Sequence, residues 1–443
     1  MTPFDLLVRG GDVVTPWGIT RVDVGVRGGL ITDIGFLGGA ATKQTLDAED
    51  LTVLPGIIDS QVHFREPGLE HKEDLTTGTR AAALGGVTTV LEMPNTRPPT
   101  TNRAALDDKI DRAKGRIWVN VGFFVGATRM NLAELATLEN APHCAGVKVF
   151  HGSSTGDLLL ATESDLEAVL RTGRRRVAIH AEDEERLVER RSLMDGAPVS
   201  RHPHVRDVES AVRATERCLR VARRVGRRVH ILHVSTSEEL ELLADARDVA
   251  TSEVTPQHLT LAAPDCYERL GTRAQMNPPI REARHREALW KAVEQGLIDV
   301  IGSDHAPHTL EEKAMAYPAS PSGMPGVQTL LPIMLDHVYR GRLRIERLVD
   351  LLAHAPARLY GIARTGRIAR GMIADLALVD RKAEVRIEDA AMASKSRWSP
   401  FDGMQIRGRV VATVLRGAIV MREGELLGPP HGQLVDFGPR PPA

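Results

Sequence analysis

Cysteine is scarce in this chain: only Cys144, Cys218 and Cys266 occur in 443 residues. An odd count without regular spacing argues against a disulfide framework and fits a reducing compartment. Each thiol reads as a small core residue rather than a nucleophile. Net charge is missing too. The 57 Lys+Arg and 58 Asp+Glu leave no bias toward nucleic acid or an anionic membrane surface. No apolar run approaches the ~20 residues that a membrane helix needs. Met1-Thr2-Pro3-Phe4-Asp5 has neither the basic nor the apolar region of a signal peptide. A soluble, cytoplasmic protein with a small-molecule partner is expected. No internal repeat or low-complexity segment is found. No Gly-x-Gly-x-x-Gly follows the first barrel strand, which argues against a dinucleotide fold.

What the chain does have is apolar residues, at 42%. That is enough for a sizeable core, and the length suits a large barrel with a smaller attached domain. Residues 4 to about 55 alternate with period two, as in Leu6-Leu7-Val8-Arg9-Gly10-Gly11-Asp12-Val13-Val14. No helix intervenes, so a small antiparallel sheet is expected there. From residue 53 strands and helices alternate. Strand candidates lie at 53–63, 87–93, 117–125, 146–150, 177–180, 229–234, 249–254 and 300–304. Helical segments between them include 79–84, 103–114, 164–172, 208–225 and 285–294. Such alternation requires right-handed crossovers and a parallel sheet, and eight units favour a closed barrel. Strand-like runs return at 374–379 and 410–415. The expected fold class is α/β. A TIM-type (β/α)8 barrel spans 56–364, and 1–55 joins 365–443 in a small β-sandwich-like domain.

The stretch Ile57-Ile58-Asp59-Ser60-Gln61-Val62-His63-Phe64-Arg65-Glu66-Pro67-Gly68 organises the chemistry. It opens as a buried apolar run and ends in a polar burst that Pro67 and Gly68 turn away. His63 and Arg65 thus arrive at the C-terminal end of a strand, where barrel sites are built. Strand 4 carries Lys148, strand 5 ends in His180, strand 6 carries His233 and strand 8 ends in Asp304. Singly, each has a bland reading: a strand histidine is more often a core residue, and Asp304 could cap the next segment. A lysine inside an edgeless barrel must be neutralised or modified. Jointly, imidazoles and carboxylates converging on one mouth are what a divalent transition metal binds. His230 precedes His233 by three residues, so strand alternation is expected to turn it toward the surrounding helices.

These positions support a resemblance. The motifs are Asp59 to Gly68, Met93-Pro94-Asn95-Thr96, Gly146 to Phe150, His180-Ala181-Glu182-Asp183-Glu184 and His233-Val234-Ser235-Thr236. To these are added Val254-Thr255-Pro256-Gln257-His258, Met276-Asn277-Pro278-Pro279, Ser303 to His308 and Ala374-Asp375-Leu376. As an ensemble they resemble the amidohydrolase superfamily, and within it the dihydroorotases. The resemblance implies an N-carboxylated Lys148 bridging two zinc ions. His180 and His233 would hold one ion, and His63 and Asp304 the other, with Asp304 also the general base. It implies substrate contacts from Arg65, Asn95, Asn277 and His308, and backbone groups from the turn at Gly323. The reaction implied is reversible cyclisation of N-carbamoyl-aspartate to dihydroorotate in pyrimidine synthesis. A homo-oligomer and an association with aspartate transcarbamoylase are left open.

One position departs from the family. The superfamily pattern on strand 1 is His-x-His, and here it is Gln61-Val62-His63. Glutamine is a poor zinc ligand, so one or two zinc ions per subunit are expected, with the site near Gln61 weak. Some relatives carry aspartate in place of the bridging lysine. Asp157 lies downstream, but the surroundings of Lys148 match the lysine-bearing type. Two other readings stand beside the leading one. One is a cyclic amidase of hydantoinase or allantoinase type, against which Arg65 argues, since those substrates lack a carboxylate. The other is a catalytically silent scaffold, which Gln61 motivates and the retained Lys148, His180, His233 and Asp304 oppose.

Overall fold

The computed structural model describes residues 2–152 and 158–438. Asp157 lies outside them. Both chain termini build one mixed sheet. Its N-terminal strands are β1 (Leu6–Thr15), β2 (Gly18–Arg27), β3 (Leu30–Gly35), β4 (Thr45–Asp47) and β5 (Thr52–Pro55). β5 is the seam of this sheet. It runs parallel to β1 on one side, and the C-terminal half of the sheet joins on the other.

The barrel follows at once. Among the described residues its strands are β6 (Ile57–Val62), β7 (Val87–Glu92), β8 (Asn120–Gly126), β9 (Cys144–Phe150), β10 (Val177–His180), β11 (Val229–Ile231), β12 (Ala250–Val254) and β13 (Val300–Ile301). They pair in sequence order, all parallel. The ring closes through a Val62–His305 bridge, in which the His63 N–H donates to the His305 carbonyl at 2.7 Å. The expected eight-stranded barrel is therefore present. The chain then returns to the mixed sheet as β14 (Leu376–Arg386), β15 (Gln405–Leu415), β16 (Ala418–Arg422) and β17 (Glu425–Leu426), with β14 antiparallel to β5.

The sequence pattern expects a single strand over 53–63. The structure divides it at Gly56, where the chain leaves one sheet for the other. The Gly56 N–H donates to the Asp375 carbonyl at 2.7 Å. A Cβ there would lie 2.2 Å from the Thr88 hydroxyl and 2.8 Å from the Asp375 Cβ. Only glycine lets the two sheets approach this closely.

Alternate barrel residues explain the rest. Val62, Val90, Val125, Val147, Ile179, Val229 and Ile301 face outward into one continuous core with the helices. Ile58, Leu91, Phe124, Ala178 and Leu232 join Tyr360 in a second cluster that fills the barrel interior. The C-terminal segment covers the lower end: Leu434 bridges to Val121, and a Cβ at Gly122 would meet the Phe437 ring at 2.7 Å. The helix Val208–Val225 has the expected bounds, fixed by an Asp207 cap and a left-handed Gly226. Among the described residues no helix is long and apolar enough to cross a membrane.

The Gly56 seam yields a first prediction. Gly56→Val should destabilise the fold by about 1–3 kcal/mol through overpacking. Chemical denaturation would show this as a lower midpoint, and an unchanged midpoint would refute the close-approach account.

Candidate active site

All five candidate metal-site residues sit at the C-terminal end of the barrel strands or just beyond. Lys148 lies within β9 and His180 ends β10. His233 and Asp304 lie past the last paired residues of β11 and β13, so the regular strands stop earlier than the expected 229–234 and 300–304. Their backbones explain this. His233 has φ +36° and Asp304 φ +45°, and Arg65, beyond β6, has φ +64°. Left-handed backbone is uncommon away from glycine and costs of order 1–3 kcal/mol per residue. Here it turns three functional side chains toward one mouth.

Two pairs of donors face each other across Lys148. In the first, His180 Nδ1 lies 2.9 Å from His233 Nε2, and His180 Nε2 lies 2.8 Å from a Glu182 carboxylate oxygen. Glu182 accepts, so His180 carries its proton on Nε2. His233 must then donate from Nε2, which leaves its Nδ1 bare, and that atom is buried without a partner. Burial lowers the pKa of both rings. Burial would raise Glu182, but Arg206, gripping both carboxylate oxygens at 3.0 and 2.6 Å, acts with His180 and Arg281 to outweigh it and bring the carboxyl to about 2.

In the second pair His63 Nε2 and the Gln61 amide both meet Asp304 Oδ1, at 3.1 and 3.0 Å. Gln61 and His63 thus share one face, and the Gln61 carbonyl oxygen is buried without a partner. Asn95 packs against the far side of the His63 ring, Oδ1 to Nδ1 at 2.6 Å.

Lys148 is buried between the two. Its charge acts on Asp304 on one side and on His180 and His233 on the other. Burial brings its pKa down to about 7, opposed by Asp304 and Glu253. An amine neutral near pH 7 is the form that can add carbon dioxide. This donor chemistry fits a transition metal on one condition. Among the described residues no three His, Cys, Asp or Glu side chains form a ligand group. Lys148, carrying a carboxylate, would supply a further oxygen donor to each pair.

The opposite wall suits an anion. Arg65 is buried, its Nε donates to the Pro307 carbonyl at 3.2 Å, and its Nη2 lies 3.3 Å from His308 Nε2. Burial lowers its pKa only to about 10, so it stays charged. Gly323, at φ +144°, is pressed against this corner: a Cβ there would lie 2.3 Å from the Ala306 carbonyl and 3.0 Å from the His308 ring. Asn277 is held by His202, Nε2 to Oδ1 at 3.0 Å.

His230 corrects the alternation argument. It does not face the helices. It packs edge-on to Tyr360 at 6.0 Å, bonds Thr251 at 2.8 Å and lies 3.6 Å from Glu253, inside the barrel. Leu232 also points inward, so His233 reaches the mouth by its left-handed backbone and not by strand period.

Sequence reasoning missed three supports. Glu182 stood inside a quoted motif, but its partner Arg206 is 24 residues away. Lys72 follows Gly68 closely and meets His308. Lys313, in Glu311-Glu312-Lys313, reads as a solvated helix face, yet it is almost fully buried at 1% exposure. Its amine donates to the carbonyls of Gln275, Pro321 and Gly323 at 3.0, 2.8 and 3.2 Å.

The amidohydrolase family model matches residues 52–420. A dihydroorotase of Halobacterium salinarum is 40% identical over 84% of this chain and 86% of its own length. An allantoinase of Deinococcus radiodurans is 34% identical over 97% of this chain and 98% of its own. Among solved structures, an L-hydantoinase (dihydropyrimidinase) from Arthrobacter aurescens superposes with TM-score 0.93 at 31% identity. That match covers 98% of this chain and 99% of the other.

Lys313 can be tested without substrate. Burial lowers its pKa from 10.5 to about 7, against which its three carbonyl acceptors act. Between those values the unfolded chain holds the extra proton, so this group's contribution to stability rises as pH rises from about 7 toward 10.5. Lys313→Met should lower stability at pH 7, by leaving buried carbonyls unpaired, and should flatten that rise. Denaturation midpoints of both proteins at pH 7 and 9.5 check this; parallel changes in the two would exclude the assignment.

Proposed function

The chain belongs to the amidohydrolase family and is a cyclic amide hydrolase, and we propose that its substrate is dihydroorotate, opened reversibly to N-carbamoyl-aspartate in pyrimidine synthesis. The observation that carries this is Arg65. It is a buried guanidinium with no carboxylate in contact among the described residues, set at the barrel mouth beside His308 and Gly323. A buried cation without an anion is costly, and a substrate carboxylate bound bidentately would relieve it. The substrates of the hydantoinase and allantoinase readings offer no carboxylate there.

Arg65 fixes the ring by its carboxylate, and Asn277 and the Gly323 turn hold its polar edge. Asp304 accepts a proton from the attacking water as the C–O bond forms. It returns that proton to the ring nitrogen as the C–N bond breaks, which regenerates the carboxylate. His180 and His233, with Lys148 as a carbamate, would hold zinc. His63, Asp304 and the same carbamate would hold a second ion more weakly, because Gln61 offers only an amide oxygen. When bound, such an ion acidifies water and polarises a carbonyl. Glu182 and Arg206 keep His180 in the tautomer that presents its bare Nδ1.

Wild-type protein should hydrolyse dihydroorotate and not dihydrouracil, which has the ring but no carboxylate. Arg65→Met should cost about one to two decades in kcat/KM, from ~1.5–3 kcal/mol of charged hydrogen bonding. Equal turnover of the two substrates by the wild type would overturn the reading. Lys148→Ala should lose metal and activity together, with partial rescue by short carboxylic acids; full zinc content and normal turnover would end the bridging role. Gln61→His should raise bound zinc from one tight ion toward two without abolishing turnover. Two equally tight ions already in the wild type would contradict the weak-site assignment.

A further inference from the structure

Two cations converge on His308 from opposite sides, and together they decide which of its nitrogens carries the proton. Lys72 Nζ lies 3.1 Å from His308 Nδ1. On the other side, His308 Nε2 lies 3.0 Å from the Ser322 carbonyl and 3.3 Å from Arg65 Nη2. An ammonium has hydrogens to give and nothing to accept with. Nδ1 must therefore be the bare nitrogen, and Nε2 must carry the hydrogen that it donates to Ser322. Burial, with Arg65, Lys72 and Lys313 nearby, holds the ring well below its usual pKa, so the doubly protonated form is not available. A protonated Nε2 cannot accept from Arg65. The Nη2 hydrogens of Arg65 on that side are left for an anion.

The other tautomer has a ready acceptor. A Glu312 carboxylate oxygen lies 3.5 Å from His308 Nδ1, and the other accepts from Lys72 at 3.0 Å. If Lys72 were absent, the proton could settle on Nδ1, toward Glu312. Nε2 would then be bare and would take a hydrogen bond from Arg65. The guanidinium would be spent on the protein's own imidazole.

We propose that Lys72 is a positioning residue for anion recognition, fixing the Nε2–H tautomer of His308 so that Arg65 stays open to the substrate carboxylate. The role in catalysis rests on the dihydroorotase reading; the tautomer does not. Lys72 reaches the ring from a half-buried surface position, outside the donor pairs around Lys148. Its removal is expected to leave metal content alone.

The test uses the metal-loaded enzyme labelled with 15N-histidine, with His308 assigned by comparison with His308→Asn. The wild type should show Nε2–H at His308. Lys72→Met should shift it toward Nδ1–H and raise KM for dihydroorotate roughly tenfold, one charged hydrogen bond's worth, with a smaller change in kcat. Lys72→Met combined with Glu312→Gln removes the competing acceptor and should restore both the tautomer and most of the KM. An Nδ1–H wild type, a Lys72→Met protein that keeps Nε2–H, or a shifted tautomer at unchanged KM would each overturn the proposal. If no form turns over dihydroorotate, the substrate reading fails, and the nitrogen spectrum still decides whether Lys72 sets the tautomer.

Discussion

Burial in a barrel wall strips most of the solvation from a charge, and Lys148 sits within that wall at 1% exposure. Its amine is pressed toward neutrality by burial, with the Phe150 ring at 4.6 Å and the carboxylates of Asp304 and Glu253 within electrostatic reach. Everything around it answers the same constraint. Glu253 is itself buried and takes a hydrogen bond from Ser60 at 2.5 Å. Asp304 takes the Gln61 amide hydrogen on the oxygen that also lies 3.1 Å from His63 Nε2. His180 and His233 settle into complementary neutral tautomers because neither can afford a proton there. The two donor pairs are separate sites only because a lysine divides them. Under the proposed function, a carboxylated Lys148 would join them into one centre.

The glutamine at position 61 fits this logic. A histidine there would offer a lone pair to a metal; the amide offers a weaker oxygen and an N–H. The N–H is used, on Asp304, and the oxygen is left buried and unpartnered. In the proposed reaction Gln61 would exchange some metal affinity for a fixed Asp304 carboxylate. Since Asp304 is the proton acceptor in the proposed reaction, its orientation matters more than a second strong ion. The same residue that departs from the family pattern on this strand holds the Asp304 carboxylate in place.

Much of this was legible in the sequence. The strand–helix alternation from residue 53 gave the barrel, and the polar residues at the strand ends gave His63, Lys148, His180, His233 and Asp304. The period-two rule failed where the backbone leaves the β region. Arg65, His233 and Asp304 adopt positive φ without being glycine, and no propensity marks such positions beforehand. For that reason His230 faces the barrel interior against the alternation pattern, and the regular strands end at Ile231 and Ile301, short of the expected 229–234 and 300–304. Gly56 was visible as a residue, but its role as the passage between two sheets depends on Thr88 and Asp375, which are distant in sequence. Nothing in the sequence marks Lys72, Arg206 or Lys313 as lining the site, because burial is a property of the fold.

The small sheet takes part in the site through what lies between its strands. The segment joining β14 to β15 runs back over the barrel mouth. Trp398, fully buried, donates its indole hydrogen to the His308 carbonyl at 2.8 Å. Ser394 bonds the Glu73 carboxylate, which also meets His305 Nε2 at 3.3 Å. His305 Nδ1 in turn accepts the Gly326 N–H at 3.0 Å, so its Nε2 is the nitrogen with a hydrogen for Glu73. His305 is one peptide bond from Asp304, and its carbonyl receives the N–H of His63. The stretch from the strained Asp304 to His308 is therefore held at one end by Glu73 and Gly326, with Ser394 behind Glu73, and at the other by Trp398. Strain of this kind persists only where the surroundings over-determine it. The segment between β14 and β15 supplies part of that surrounding, at Trp398 and, through Glu73, at Ser394.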